Sequence, residues 1–113
     1  LGSGVLREYR RMKYLVIADF RCKPGMARRM AELFEDALPV TRSFQGCRSI
    51  AVYYEERTQT FTLLEDWDSL QEYEAYLAFR EDTGIATLLE PILDGGWGGV
   101  TASVKRLGKM QPL

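Results

Sequence analysis

Residues 60–76, TFTLLEDWDSLQEYEAY, constrain the fold more than any other stretch of the chain. Alternation over the first eight predicts a strand with Phe61, Leu63, Glu65 and Trp67 on one face. A helix follows at once. Asp68 or Ser69 can cap it, with Gln71 or Glu72 three residues further on to complete a capping box. Tyr73 and Tyr76 are three apart on that helix and share a face. A tryptophan and two tyrosines are thereby brought to one end of a strand–helix unit. Such a corner is either an aromatic packing anchor or the wall of a pocket for a flat ring.

The other elements fall into order around this unit. Residues 13–21 read as a first strand, with Tyr14, Val16, Ala18 and Phe20 on one face and Leu15, Ile17 and Asp19 on the other. Both faces are largely apolar, which implies burial on both sides. Lys23-Pro24-Gly25 ends the strand, and Pro24 suits the first turn of a helix. Met26, Met30, Leu33, Phe34, Ala37 and Leu38 then recur at helical spacing, opposite Arg28, Arg29, Glu32, Glu35 and Asp36. The methionines read as core rather than as ligands. Pro39 is expected to bend or end this helix. Gln45-Gly46 makes a turn, residues 47–55 a second strand, and 56–59 the link to the third.

Beyond the helix that starts near Ser69, residues 82–84 break the chain. Ile85, Leu88, Leu89, Ile92 and Leu93 form an apolar stripe that Pro91 interrupts, which predicts a short helix and then a turn. Residues 94–99, DGGWGG, are expected to be a flexible loop; no lysine follows the glycines, so a phosphate cradle is disfavoured. Residues 100–106 alternate as a fourth strand, and 108–113 are expected to form a frayed tail. Residues 1–11, with their Gly-Ser-Gly, are set aside as an N-terminal extension, native or appended, with Met12 as the native start and the domain over 12–107.

Strand, helix, strand, strand, helix, strand is the α+β, ferredoxin-like split βαβ pattern. It predicts a four-stranded antiparallel sheet in the order 4-1-3-2, with helices on one face. Cys22 and Cys47 then lie on non-adjacent strands, which argues against a disulfide. The helices cover one face only. Leu15, Ile17, Leu64 and either Ile50 and Val52 or Ala51 and Tyr53 would remain on the open face. A second copy packing sheet to sheet removes that patch and predicts a homodimer, a dimeric α/β barrel.

Composition narrows the function classes. A net charge of −1 gives no electrostatic case for nucleic acid or an anionic membrane surface. No apolar run approaches the ~20 residues needed to span a bilayer. The two cysteines form no CxxC and no metal-type cluster, and read as free thiols in a reducing cytoplasm. Histidine is absent, which removes the commonest general base, most zinc sites and the usual haem ligand together. Neither metal nor haem is expected.

Over residues 13–107 the chain resembles the antibiotic biosynthesis monooxygenase-like domains, which are dimeric α+β barrels. The resemblance is carried by KPG at 23–25, TRSFQGC at 41–47, E-x-W-x-S at 65–69 and L-x-P-x-L at 89–93, in that order and spacing. It implies a pocket between helices and sheet in each protomer. It also implies cofactor-independent oxidation of an aromatic polyphenol or quinol-type small molecule by O₂. In members that oxygenate anthrone-type polyphenols, a Trp and a Tyr spaced W-x-S-x-x-x-Y line the pocket; Trp67, Ser69 and Tyr73 reproduce that spacing. Such members carry an amide four before the Trp, where this chain has Leu63, and many quinol-oxidising relatives carry a His nine after it, where this chain has Tyr76. Haem-degrading relatives need a proximal His, which is missing here.

Such chemistry asks a site to bind a flat ring, take a proton, stabilise an oxyanion and exclude water. Trp67 would stack on the ring, and Tyr73 or Tyr76 would hydrogen-bond the phenol oxygen. Glu65 is the candidate base, provided burial raises its pKa. Leu63 and the small Ala18 would face the ligand, and Arg48 or Arg42 would hold developing negative charge. Each residue also has a structural reading. Trp67 would be a core anchor, the tyrosines core edges, Glu65 an ion-pair partner of a neighbouring strand's arginine, and the arginines solvated charges. The matching functional alternative is a non-catalytic small-molecule-binding or interaction module on the same barrel.

Overall fold

The computed structural model describes residues 14–110. The extension at 1–11, the start at Met12, the strand residue Lys13 and the last three residues of the tail lie outside the described residues. The elements are β1 (Tyr14–Arg21), α1 (Ala27–Ser43), β2 (Cys47–Glu55), β3 (Thr60–Trp67), α2 (Leu70–Asp82), α3 (Ile85–Leu89), α4 (Gly96–Ser103) and β4 (Lys105–Gly108). The strands form one antiparallel sheet in the order β2-β3-β1-β4, the order expected, with the helices on one face.

Register follows the side-chain alternation. β1 and β3 pair from Tyr14↔Trp67 to Arg21↔Thr60, which sets Val16 beside Glu65, Ala18 beside Leu63 and Phe20 beside Phe61. These are the residues that β1 and β3 bury beneath the helices. β2 places Ile50 opposite Glu65 and Val52 opposite Leu63, so those two point toward the helices. Ala51 and Tyr53 therefore join Leu15, Ile17 and Leu64 on the open face. A bulge between Cys47 and Ser49 leaves Arg48 unpaired in the ladder.

Two apolar clusters pack on the inner face. In one, Phe34 of α1 meets Phe20 and Phe61 edge-on, at 5.1 and 5.3 Å between ring centres. The other is Val16, Trp67, Tyr73 and Leu77, with Phe44 and Tyr76 packed against it.

Two expectations need correction. First, α1 does not end at Pro39; it continues to Ser43. Proline removes one amide donor, near the end of the helix where few bonds remain. Tertiary contacts hold the last turn beyond it: Thr41 is buried and Arg80 donates to the Ala37 carbonyl at 2.9 Å. Second, residues 94–99 are not simply a loop, and 100–103 are not strand. Gly95 and Gly96 take positive φ (83° and 60°) and turn the chain into α4, which buries Gly96 and Val100 four residues apart. A short small-residue run satisfies both periods, and here the helical one wins. The fourth strand is only Lys105–Gly108, and it takes in Gly108, which was expected in the tail. The short helix after residue 84 is present as α3, although Leu88 is exposed while Ile92 and Leu93 beyond it are buried.

The start of α2 is fixed by Ser69. The Glu72 amide donates to Ser69 Oγ at 3.1 Å, and the Ser69 hydroxyl donates to Glu72 Oε1 at 2.9 Å. Gly46 makes room for this box. Its φ is 92°, and a Cβ there would lie 2.5–2.7 Å from the Glu72 side chain. Ser69→Ala is expected to cost about 1 kcal/mol. Gly46→Ala is expected to cost more, because it adds backbone strain to displacement of Glu72. The double variant should cost less than the sum of the two, since both disturb one box. Urea melts of the three variants measure this.

Candidate active site

The cavity lies between the sheet and the helices. Ala18, Leu63 and Glu65 form its floor, Tyr73, Tyr76 and Leu77 of α2 one wall, and Met30, Phe34 and Leu38 of α1 another. Trp97 and Val100 of α4 also line it. Its volume is about 50 Å³. At roughly 10–15 Å³ for each water, that is room for a few waters. A larger guest needs side chains to move, and Met30, with its three rotatable bonds, is suited to that.

Glu65 is the cavity's one carboxylate among the described residues and is 4% exposed. Strand alternation forces it inward, between the apolar cross-strand neighbours Val16 and Ile50. No arginine of a neighbouring strand pairs with it; the ion pairs among the described residues lie elsewhere. Trp67 Nε1 donates to its Oε1 at 2.9 Å. Burial pushes its pKa up from the ordinary 4.5 to about 7, opposed by that hydrogen bond. The carboxyl can therefore give or take a proton near neutral pH.

Trp67 stands behind the cavity and does not line it. It is 0% exposed, and its ring is packed by Phe44, Tyr73 and Tyr76 at centre distances of 6.4, 5.4 and 5.5 Å. The geometry gives it the task of orienting Glu65 and seating α2, in place of the stacking role that its spacing suggested.

Tyr73 and Tyr76 both line the cavity but differ in what their hydroxyls do. Tyr73 is 2% exposed, and its hydroxyl has no hydrogen-bond partner among the described residues. Burial, and then the nearby charge of Glu65, raise its pKa, so it remains a donor. The Tyr76 hydroxyl is engaged. It lies 2.7 Å from Thr41 Oγ1 and accepts from Arg80 Nε at 2.9 Å. Burial raises its pKa too, against the lowering effect of those two partners.

Leu63 and Ala18 lie on the cavity floor. Arg48 does not reach the cavity. The bulge turns it toward Asp68, to whose Oδ1 its Nε donates at 2.6 Å. Arg42 likewise donates to the Ile50 carbonyl at 3.3 Å and does not line the cavity. The arginine that does is Arg80, accompanied by Thr41. Arg80 follows Tyr76 by four residues, and that helical spacing was the available signal. Thr41 was hidden by the expected helix end at Pro39. Among the described residues no cluster of His, Cys, Asp or Glu could hold a metal ion, and no helix is long and apolar enough to cross a membrane. Cys22 and Cys47 are free thiols.

Residues 13–81 match the antibiotic biosynthesis monooxygenase family, more than half of the chain. The chain belongs to that family. The matched stretch runs from β1 through most of α2, and includes Glu65, Trp67, Tyr73, Tyr76 and Arg80. Among solved structures, a conserved protein from Methanosarcina mazei Go1 is similar, with a TM-score of 0.72 at 21% identity, covering 91% of this chain and 99% of that one. A candidate antibiotic biosynthesis monooxygenase from Deinococcus radiodurans has a TM-score of 0.69 at 16% identity, covering 88% and 95%. PA3566 from Pseudomonas aeruginosa has a TM-score of 0.66 at 16% identity, covering 88% and 95%. At such identities the likeness is one of fold. The sequence matches no curated protein.

The raised pKa of Glu65 carries a stability consequence of definite sign. The folded protein keeps a proton that the unfolded chain releases, so stability is greatest below 4.5 and falls as pH rises to about 7. The loss is on the order of 3 kcal/mol for a shift of this size. Glu65→Gln keeps an oxygen for the Trp67 indole and removes the titration. Urea melts should show the variant more stable than the parent at pH 8, and with a flatter dependence between pH 5 and 8.

Proposed function

We propose that the protein is a cofactor-independent monooxygenase that oxidises an aromatic polyphenol or quinol-type small molecule with O₂. One observation carries this reading: a carboxyl with a pKa near 7 opens into an apolar, aromatic-lined cavity that also holds a tyrosine hydroxyl with no hydrogen-bond partner among the described residues. The ionised Glu65 takes a proton from the substrate's activated C–H or O–H bond. Tyr73 donates to the oxygen on which the resulting charge collects. The electron-rich anion then reduces O₂, and a new C–O bond forms as a hydroperoxide. Glu65 returns its proton to complete that hydroperoxide, and loss of the hydrogen on the oxygenated carbon together with the outer oxygen, as water, breaks the O–O bond and leaves a carbonyl. One oxygen atom ends in the product and the other in water. Apolar walls admit O₂ and keep the reactive pair from bulk water. Trp67 acts by holding the Glu65 carboxylate in place.

A homodimer belongs to the same proposal. Tyr53 is 60% exposed and Leu107 44%, on the open sheet face that also carries Leu15, Ile17 and Leu64. Covering it by a second copy should bury more than ~1,000 Å², and light scattering at micromolar concentration should report two chains. The two free thiols suit a reducing cytoplasm.

The test of the activity is O₂ uptake with hydroxylated naphthalenes and anthrones, without added metal or flavin. The kcat/KM profile should rise with pH through about 7, the pKa of Glu65. Glu65→Gln should lower turnover by about 10²-fold or more. Tyr73→Phe should leave the melting temperature nearly unchanged while turnover falls. Trp67→Phe should keep the fold and lower turnover by loosening Glu65. Ring binding with no O₂ uptake would establish the alternative, a binding module.

A further inference from the structure

The cavity holds one charge that this reaction leaves unused. Arg80 is its one basic residue among the described residues, half-buried on the last turn of α2. Its Nε donates to Tyr76, and its Nη2 donates to the Ala37 carbonyl at 2.9 Å and to Thr41 Oγ1 at 3.0 Å. All three partners are neutral oxygens. Among the described residues no carboxylate pairs with it. Glu81, the next residue, accepts from Trp97 Nε1 instead. Glu65 does not balance it either, because burial and the Trp67 hydrogen bond are what set the Glu65 pKa. The rings of Tyr76 and Phe79 lie 5.4 and 5.6 Å from its guanidinium carbon, so the charge is met by neutral oxygens and ring faces and by no anion among the described residues.

Its position adds a second observation. Arg80 and Ile85 line both the cavity and a separate surface recess formed with Thr83, Gly84 and Leu88 at the α2–α3 junction. Arg80 therefore borders both the cavity and the outside recess. The network of Tyr76, Thr41 and Ala37 holds it there from one side. Nη1 makes no hydrogen bond among the described residues and remains free to donate.

We propose that Arg80 is the anion anchor of this site. It selects aromatic ligands that carry an anionic oxygen, a ring carboxylate or a phenolate, at the end of the ring away from Glu65. The inference rests on reading the cavity as a ring-binding site. Charge-assisted donation from guanidinium to carboxylate or phenolate is strong and directional, and Arg80 is already oriented for it. A ring with oxygens at opposite ends then meets a base at one end and a cation at the other. Arg80 holds the ligand's own anionic oxygen, while Tyr73 meets the oxygen on which charge collects as the proton leaves toward Glu65. Arg80 differs from Tyr76 in this respect, because the Tyr76 hydroxyl is already committed to the protein.

Two probes separate this role from that of a clamp between α1 and α2. They are 6-hydroxy-2-naphthoate and 2-naphthol, which share a ring and differ in the carboxylate. Titration calorimetry at pH 7 should show the acid binding about ten-fold tighter or better. Arg80→Met should abolish the preference, and Arg80→Lys should restore part of it. The second arm follows 2-naphthol below and above its own ionisation; tighter binding of the naphtholate identifies a phenolate as the ligand's anion. In wild-type protein the Arg80 Nε–H resonance should shift with the acid and not with 2-naphthol at neutral pH, a readout that needs no variant to fold. Equal affinities for acid, naphthol and naphtholate would overturn the proposal. So would a preference that survives in Arg80→Met, a resonance that neither anion moves, or failure of every ring to bind. O₂ uptake from neutral quinols without any anion preference would sink this inference and leave the monooxygenase reading standing. Anion preference without O₂ uptake would do the reverse.

Discussion

The hydrogen bond from Trp67 to Glu65 is the interaction on which the rest of the site depends. Two residues apart on β3, the pair must share a face, and the sheet turns that face toward the helices. A fully buried indole needs an acceptor, and Glu65 is the one it has. A buried carboxylate needs either a cation or a proton; among the described residues no cation pairs with it, and burial raises its pKa. Each residue thus answers for the other, and removing either leaves a polar group stranded. The rings of Phe44, Tyr73 and Tyr76 rest on the same indole, so the seat of α2 depends on Trp67 as well.

α2 delivers the remaining chemistry by its period. Tyr73, Tyr76 and Arg80 fall at i, i+3 and i+7, one face of the helix, and all three line the cavity. Their register is set at the start of the helix by Ser69 and Glu72, which Gly46 accommodates. At the far end it is met by α1, which reaches Thr41 only because it continues past Pro39. The persistence of α1 through a proline is therefore a condition for holding Tyr76 and Arg80 in place.

The parts that could be read from sequence were those with one dominant period. β3 alternates without exception, the step into α2 carries its cap, and the element order leaves few sheets to choose from. The inward set Phe61, Leu63, Glu65 and Trp67, and with it the cavity's floor, followed directly. The parts that could not be read were decided by tertiary structure. Residues 100–103 fit two periods at once, and glycine conformations upstream chose between them. Pro39 reads locally as a stop, while Arg80 of α2 holds the last turn of the helix from outside, through the Ala37 carbonyl and Thr41. Arg48 sits on a strand beside the site, but a bulge that no local pattern announces turns it toward Asp68. Arg80 was visible only as a residue one turn beyond Tyr76.

The distribution of incompletely engaged groups argues for function rather than packing. Among the described residues no deeply buried side-chain nitrogen or oxygen is left without a partner. Three partly engaged polar groups line one cavity: among the described residues its carboxyl has a single hydrogen bond, its Tyr73 hydroxyl none, and its guanidinium no counter-ion. Leucine or phenylalanine at these positions would fill the space with less desolvation and no raised pKa. A core shaped for stability alone has no use for three such groups in one place. The proposed reaction, with a proton taken at one end of a ring and charge held at the other, would use all three.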